Sequence, residues 1–421
     1  MPPQVTTLDN GLRVISEEMP SLETASVGVW VNAGARCEQP ETNGISHLLE
    51  HMAFKGTQLR SAREIAEQIE AVGGHLNAYT SREQTAYFAK VLKEDLPLAI
   101  NILADILQNP IFDEDELRRE QAVVIQEIGQ AQDTPDDIIF DYFQDMAFPD
   151  QPLGRPILGS SENVSSFTRE TLSTYMSKHY TPAHMVVSAA GNINHDRLVE
   201  LTNHTFLGST IENNSTFESA RYVGGSVHQP RELEQLHLLL GFNGLAYEDT
   251  DYYALQVFST LLGGGMSSRL FQKVREERGL AYSIYSFSTS YVDGGLFGIY
   301  AGTSAESTGE LIDTVCDELL AATENINDNE TKRARAQLKS GLLMSLESTS
   351  ARSEQLARQL LLFGRPLSNA EVIGKIDAAD PKTLSAIARR LLKNGDLTLT
   401  ALGPPANIPD YEEMRQKLLR G

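Results

Sequence analysis

The chain repeats one order of predicted elements: strand, helix, helix, hairpin, helix, helix. Hydrophobic periodicity and the positions of Gly and Pro define them. In the first half they are a strand at 25–34, helices at 44–54 and 61–73, a hairpin at 75–92, and helices at 94–108 and 113–132. In the second half they are a strand at 236–244, helices at 251–263 and 267–279, a hairpin at 281–303, and helices at 305–324 and 329–348. The copies lie about 200 residues apart, which predicts two domains of one fold.

The predicted domains are residues 1–210 and 233–421, joined by a polar linker at 211–232. A chain of 421 residues is too long for a single hydrophobic core, and this supports the division. Each domain is predicted to be α+β, with a mainly antiparallel β-sheet that α-helices cover on one face.

Charge and cysteine content exclude several classes of protein. The chain has 35 Lys and Arg against 57 Asp and Glu, and the net charge of −22 disfavours binding to nucleic acid or to anionic membranes. No apolar run is long enough to span a membrane, and residues 1–20 have neither a secretory nor a transit pattern. Cys37 and Cys316 lie far apart, as is typical of free thiols in a reducing compartment. We therefore expect a bacterial cytoplasmic protein, or alternatively a mitochondrial matrix protein after presequence removal.

The predicted helix at 44–54 contains the sequence His-Leu-Leu-Glu-His, residues 47 to 51. Positions i and i+4 share a helix face, so His47 and His51 can bind one metal ion. Glu50 lies at the edge of that face, where a carboxylate can act as a general base toward water at the metal. The corresponding helix of the second half contains no histidine, so we expect one metal site in each chain.

A catalytic zinc ion usually has three protein ligands, so a third must come from elsewhere in the chain. In the predicted helix at 113–132, Glu127 lies beside Ile128 in what reads as an apolar stripe. Glu120, seven residues earlier, falls on nearly the same face. The two are candidates for the third ligand and for a supporting carboxylate. The alternative is that the histidines are hydrogen-bonded core residues and the glutamates are solvated.

The segment "GISHLLEHMAFKGT", followed by Glu127 at 76 positions beyond His51, resembles the pitrilysin/insulinase family of zinc peptidases, the inverted zincins. Within that family the chain looks closest to the catalytic subunit of mitochondrial processing peptidase and its bacterial single-chain relatives. The resemblance implies a zinc ion (Zn²⁺) held by His47, His51 and Glu127. It also implies that Glu50 is the base and Glu120 the supporting carboxylate.

The resemblance implies further roles for two other segments. The predicted hairpin would offer an edge strand to an extended substrate, with Asn77 and Ala78 close to the bond that is cleaved. Arg275 and Tyr282 match a pair that reaches across to the bound peptide and its reacting carbonyl. The alternative is that Arg275 is a surface helix residue and that Tyr282 packs on a sheet.

Two aspartates predict a preference for arginine in the substrate. After Thr134-Pro135 a helical period resumes, and Asp137 and Asp141 lie one turn apart on one face. Paired carboxylates can bind the forked guanidinium group of arginine. Their spacing resembles the acidic pair that processing peptidases of the family use for an arginine near the cleavage site. The alternative is that both are surface charges near a helix start, where the helix dipole favours acids.

These observations together predict a zinc metalloendopeptidase that hydrolyses extended peptides or the N-terminal segments of precursor proteins. Its acidic charge suits basic peptide or unfolded protein substrates. The resemblance implies a homodimer, since members of the family enclose substrate between two such two-domain halves. The alternative function is a noncatalytic, core-like scaffold subunit of the same fold, and the intact His47, Glu50, His51 and Glu127 count against it.

Overall fold

Two β-sheets organise the chain in the computed structural model, which describes residues 2–207 and 218–420. The strands are β1 (Gln4–Thr7), β2 (Arg13–Glu18), β3 (Thr24–Val31), β4 (His75–Thr80), β5 (Thr85–Leu92), β6 (Met185–Gly191), β7 (Gly225–Pro230), β8 (Leu236–Asn243), β9 (Ala281–Ser290), β10 (Gly295–Thr303) and β11 (Leu397–Gly403). The helices are α1 (Ile45–Ala53), α2 (Ala62–Glu70), α3 (Leu96–Gln108), α4 (Glu114–Gln132), α5 (Pro135–Ala147), α6 (Ser161–Ser166), α7 (Arg169–His179), α8 (His195–Thr205), α9 (Tyr252–Gly263), α10 (Thr308–Ala322), α11 (Asp328–Ser345), α12 (Thr349–Phe363), α13 (Asn369–Asp377), α14 (Pro381–Leu392) and α15 (Tyr411–Leu419). No helix in the described part of the chain is long and apolar enough to cross a membrane.

The first sheet has the strand order β1-β2-β6-β3-β5-β4 within the described residues. The pair β2 and β6 is parallel, and the other neighbours are antiparallel. The predicted hairpin at 75–92 is confirmed: it is β4 and β5, with His75 opposite Lys90 and Thr80 opposite Thr85. β4 therefore lies at the edge of the sheet.

The second sheet has the order β7-β11-β8-β10-β9, again counting only described residues. The pair β7 and β11 is parallel, and the others are antiparallel. The predicted hairpin at 281–303 is β9 and β10, and β9 is an edge strand. Both sheets are mainly antiparallel and carry helices, so the predicted α+β class is confirmed.

The expectation that helices cover only one face of each sheet is wrong. In the first sheet the side chains of Val29 and Val31 enter the main helical core, whereas Trp30, which alternation points to the other face, packs against α12. In the second sheet Leu296 packs against α5, while the neighbouring Phe297 packs against Phe258 of α9 with the two rings tilted. The central strands of each sheet, among them β3, β6, β10 and β11, are therefore buried on both faces and show little polar alternation as a result.

The two helices that cover the second faces come from the opposite half of the chain. The first compact unit draws on residues 2–130, 155–207, 218 and 344–367, and the second on 131–154, 219–343 and 368–420. Relative to the predicted domains 1–210 and 233–421, the segment with α5 belongs to the second unit and the segment with α12 to the first. Each of these helices thus packs in the unit formed mainly by the other half of the chain. The sequences of α5 and α12 could not reveal this exchange, because apolar periodicity identifies the buried face of a helix but not the element that it packs against.

The predicted linker at 211–232 needs correction in its second part. Residues 211–217 lie outside the described residues, and residues 225–230 form β7, which pairs with β11. The sequence of this strand, Gly-Ser-Val-His-Gln-Pro, is mostly polar because β7 lies at a sheet edge and none of its residues is fully buried. It therefore lacks the apolar alternation by which strands are recognised.

We expect Leu356→Ala to destabilise the first unit by about 2–5 kcal/mol, because it removes a fully buried side chain from the contact between α12 and the sheet. Trp30 is the single tryptophan and lies in the same cluster, so its fluorescence during urea unfolding reports on this unit. Leu59→Ala, at a side chain 73% exposed, is the control and should change the stability by less than about 0.5 kcal/mol. Equal effects of the two substitutions would contradict the assignment of α12 to this sheet.

Candidate metal centre

Helix α1 carries the His-Leu-Leu-Glu-His sequence, and its packing decides where the polar side chains lie. Ile45, Leu48, Leu49 and Met52 are fully buried and form one stripe at spacings of three and four residues. His47, Glu50 and His51 are half-buried on the remaining face. A helix that is buried on one side thus presents three titratable groups on the other.

The N-terminus of α1 is capped by a buried carboxylate from outside the helix. Gly44, at the N-cap position, has φ 100° and no side chain to offer. Glu38 instead accepts hydrogen bonds from the backbone N–H groups of Gly44 and Ser46, both at 2.8 Å, and from Nδ2 of Asn43 at 2.9 Å. Burial raises the pKa of Glu38, and these donors oppose that shift. The start of the helix is therefore fixed by bonds that helix ends otherwise lack.

The two imidazoles of α1 and a carboxylate of α4 converge. Nε2 of His47 and Nε2 of His51 each lie 3.6 Å from Oε2 of Glu127, and one ligand atom from each residue lies within 4.8 Å of the others. Burial, with a smaller contribution from the nearby His51, lowers the pKa of His47 to about 4, which keeps that imidazole neutral. Two imidazoles and one carboxylate form a donor set that fits a catalytic zinc ion.

Glu120 contacts His51 on the side of the imidazole ring away from Glu127. Its Oε2 lies 3.0 Å from Nδ1 of His51, and a carboxylate can only accept, so Nδ1 donates. In the neutral form of such an imidazole the lone pair lies on Nε2, which in His51 is the nitrogen that faces Glu127. The other oxygen of Glu120 lies 2.6 Å from Nζ of Lys55. Glu120 therefore contacts both His51 and Lys55, and its role as a supporting carboxylate remains a prediction.

The expectation about the apolar stripe of α4 is only partly right. Glu120 is buried in line with Leu117, Val124 and Ile128, whereas Val123 is 39% exposed. The Glu127 side chain is itself 38% exposed. Glu127 therefore lies at the edge of the stripe, where a carboxylate remains accessible to a bound ion.

Glu50 lies beside this group and is held by the edge strand. Its Oε2 accepts a hydrogen bond of 2.6 Å from Oγ1 of Thr80, the last residue of β4. Burial raises the pKa of Glu50; the bond from Thr80 and the proximity of His51 oppose this shift, and Glu127 adds to it. A raised pKa makes a carboxylate a stronger proton acceptor near neutral pH.

β4 also carries the two residues predicted to bind substrate. Among described strands β4 pairs only with β5, so its outer edge faces away from the sheet. The backbone N–H of Ala78 donates to Oδ1 of Asn77 at 2.8 Å rather than to a strand. Asn77 and Ala78 therefore lie in the first unit, at the open edge of the strand that reaches Glu50.

Arg275 and Tyr282 lie together in the second unit. The guanidinium carbon of Arg275 is 4.3 Å from the centroid of the Tyr282 ring, and Nη1 donates to the Tyr282 carbonyl at 2.9 Å. The Tyr282 residue is 76% exposed. Its ring is therefore not buried in a sheet core, contrary to the alternative considered for it.

Asp137 and Asp141 lie one turn apart on α5, also in the second unit. Asp137 is exposed in the first turn, and Asp141 is half-buried. The predicted i, i+4 relation on one helix is therefore present. The first turn also suits acidic residues for electrostatic reasons, so this placement agrees with both readings of the pair.

Sequence reasoning missed three residues that hold the site together: Glu38, Lys55 and Thr80. Lys55 lies two residues beyond the end of α1 and outside the helix predicted at 44–54, so helical spacing did not point to it. Thr80 ends the predicted strand two residues after Ala78, and strand alternation places both on one face. No signal identified Glu38, because its contacts depend on the loop that leads into α1.

Comparisons with known proteins agree on one family. Residues 13–161 match the family model described as Insulinase (Peptidase family M16), and residues 166–338 match that described as Peptidase M16 inactive domain. A protein named probable mitochondrial-processing peptidase subunit beta, from Arabidopsis thaliana, is 41% identical over 98% of this chain and 81% of its own length. A protein of Bacillus subtilis named as a zinc protease is 40% identical over 96% of this chain and 98% of its own length. The predicted resemblance is confirmed.

Solved structures share the fold. A protease from Helicobacter pylori matches with a TM-score of 0.91 and 24% identity, over 96% of this chain and 99% of that one. A chain of complex III2 from Candida albicans matches with a TM-score of 0.88 and 22% identity, over 99% of both chains. These structures show the fold alone. The family models, the sequence relatives and the His-His-Glu group show that the chain is a zinc metalloendopeptidase that belongs to the insulinase family, peptidase family M16.

Proposed function

We propose that the chain hydrolyses extended peptides or the N-terminal segments of precursor proteins, with one zinc ion held by His47, His51 and Glu127. The observation that carries this proposal is the convergence of these three donors beside Glu50. Zinc in such a donor set supplies Lewis acidity toward a carbonyl group and toward water. Glu50 is the base: it takes the proton of the attacking water at Oε1, the oxygen that Thr80 does not engage, and passes it to the leaving amine.

Substrate binds as an added strand on the outer edge of β4. Backbone hydrogen bonds to Asn77 and Ala78 hold the peptide, and few side-chain pockets are required, so many sequences can be accepted. The open edge of β4 and the backbone N–H of Ala78, which donates to the adjacent Asn77 side chain, support this mode. A peptide strand on this edge would displace Oδ1 of Asn77 from that N–H.

The active unit is a homodimer in which Arg275 and Tyr282 of one chain act on substrate at the partner's zinc site. The pair is preorganised, because the guanidinium group stacks on the ring and bonds to the backbone carbonyl of the same tyrosine. The Tyr282 ring is also largely exposed, as a group that contacts substrate must be. Its hydroxyl can donate to the oxygen on which negative charge develops.

Asp137 and Asp141 select substrates with arginine shortly before the cleaved bond.

The relative of Arabidopsis is named as a processing peptidase subunit, which supports precursor proteins as the substrates. The bacterial relatives favour the bacterial cytoplasm over the mitochondrial matrix as the location. Nothing at the site favours the noncatalytic scaffold, since the three donors and Glu50 are all in place.

His51→Ala should abolish zinc binding, because it removes one of three ligands, whereas Glu50→Gln should keep one zinc per chain and lose turnover. The measurement is zinc content by mass spectrometry on protein whose circular dichroism matches the wild type. His204→Ala, at an exposed histidine of α8, is the matched control and should keep both zinc and turnover. Stoichiometric zinc in a folded His51→Ala protein would rule out this ligand set.

A mixture of Glu50→Gln and Tyr282→Phe chains should recover activity after subunit exchange, although each variant alone is inactive. About a quarter of the wild-type rate is expected, because half of the dimers are mixed and each mixed dimer has one intact site. The measurement is peptide hydrolysis alongside native mass spectrometry that counts the mixed dimers. Verified mixed dimers with no activity would show that each chain works alone.

The Asp137→Asn/Asp141→Asn variant should lose roughly thirtyfold or more in kcat/KM on a peptide with arginine before the cleaved bond. The loss follows from removing both charges that bind the guanidinium group. A peptide with alanine in place of that arginine should be far less affected. Asp313→Asn/Asp317→Asn is the matched control, since these aspartates of α10 are also one turn apart and exposed. Equal losses on both peptides would show that the Asp137 pair does not bind the arginine.

A further inference from the structure

The hydroxyl of Thr80 joins the edge strand β4 to Glu50, and nothing in the sequence had singled it out. We propose that Thr80 is a positioning residue: it holds the Glu50 carboxylate in its working orientation and ties that orientation to the strand on which substrate is bound. This inference rests on the proposed role of Glu50 as the base. It adds a residue and a physical link that the role itself does not require.

The first support is the geometry of the bond. Oγ1 of Thr80 lies 2.6 Å from Oε2 of Glu50, a short distance that is typical of a hydroxyl bound to a carboxylate. The last torsion of a glutamate side chain is broad, so the carboxylate plane is poorly fixed without such a partner. With Oε2 engaged, Oε1 becomes the oxygen available for proton transfer.

The second support is the way β4 is held from both faces. Alternation places Tyr79 on the face opposite Thr80. There the Tyr79 hydroxyl accepts from Nε1 of Trp30 at 3.2 Å and donates to Oε1 of Glu354 in α12 at 3.1 Å. The end of the edge strand is thus fixed by one hydroxyl on each face, and only the hydroxyl of Thr80 reaches the metal centre.

A positioning role and a purely structural role for Thr80 predict different effects when its hydroxyl is removed. If Thr80 orients the base, its loss must lower kcat, because a small misplacement of a catalytic group slows the chemical step. If Thr80 only supports the strand, its loss must act on peptide binding and on folding stability instead. The same chain offers a control for strand support, since Tyr79→Phe removes the hydroxyl on the other face.

The test compares Thr80→Val, Thr80→Ser and Tyr79→Phe in the full-length, zinc-loaded protein with a fluorogenic peptide. Valine keeps the shape of threonine without the hydroxyl, and serine keeps the hydroxyl. We expect Thr80→Val to lower kcat by about 10- to 100-fold with KM within about threefold of the wild type. Thr80→Ser and Tyr79→Phe should keep kcat within about fivefold. Zinc content should remain one per chain in all three, since none of them alters a proposed ligand.

A second measurement removes the chemistry altogether. In the Glu50→Gln background, adding Thr80→Val should leave the affinity for an uncleaved peptide within about threefold, measured by fluorescence anisotropy. Weaker binding by tenfold or more would make Thr80 a substrate-binding residue and overturn the proposal. An unchanged kcat in Thr80→Val, or an equal loss of kcat in Thr80→Ser, would overturn it as well.

These outcomes are distinct from a failure of the proposed function. If the wild type hydrolyses no peptide in a zinc-dependent manner, or if Glu50→Gln remains active, then the role of Glu50 is wrong whatever Thr80 does. If the wild type is zinc-dependent and Glu50→Gln is inactive, the Thr80 variants test the positioning role alone.

Discussion

The orientation of α1 about its own axis is the constraint on which the metal centre depends. Its buried stripe, which includes Leu48 and Leu49, turns the opposite face outward, and that face carries both imidazoles. Successive residues of a helix are rotated by about 100°, so a shift of the stripe by one position would turn His47 and His51 away from α4. The apolar packing and the chemistry are therefore fixed by the same helix register. Glu38 supports this register, because its hydrogen bonds fix the residue at which α1 begins.

Four glutamates of the first unit differ in burial and in the groups that they contact. The carboxylate of Glu38 is buried and accepts from backbone N–H groups and from the Asn43 amide, so it serves the helix start. Glu120 is buried between an imidazole and an ammonium group and remains an acceptor. Glu127 is partly exposed and faces both histidines. Glu50 is half-buried with one oxygen bound by Thr80. Burial and partner together decide which carboxylate can bind an ion and which can accept a proton.

The sequence predicted the parts of the site that depend on spacing within one element. The i, i+4 relation in α1, the seven-residue relation between Glu120 and Glu127, and the two hairpins are all of this kind. The features that depend on contact between segments distant in the sequence could not be predicted. The bond from Thr80 to Glu50 joins residues 30 positions apart, and the exchange of α5 and α12 joins segments still farther apart. The polar edge strand β7 was read as linker for a related reason, since pairing with β11 rather than burial defines it.

The exchange of α5 and α12 between the two halves of the chain also affects the order in which the protein can fold during synthesis. The side chains of Ile15, Trp30 and Val186, which face away from the main core of the first sheet, are covered by α12. That helix ends at Phe363, late in the chain. During translation one apolar face of the first sheet therefore remains uncovered until most of the second half of the chain has emerged from the ribosome. A product truncated before α12 would contain His47, His51 and Glu127 but would leave one apolar face of the first sheet exposed to water, and such surface favours aggregation.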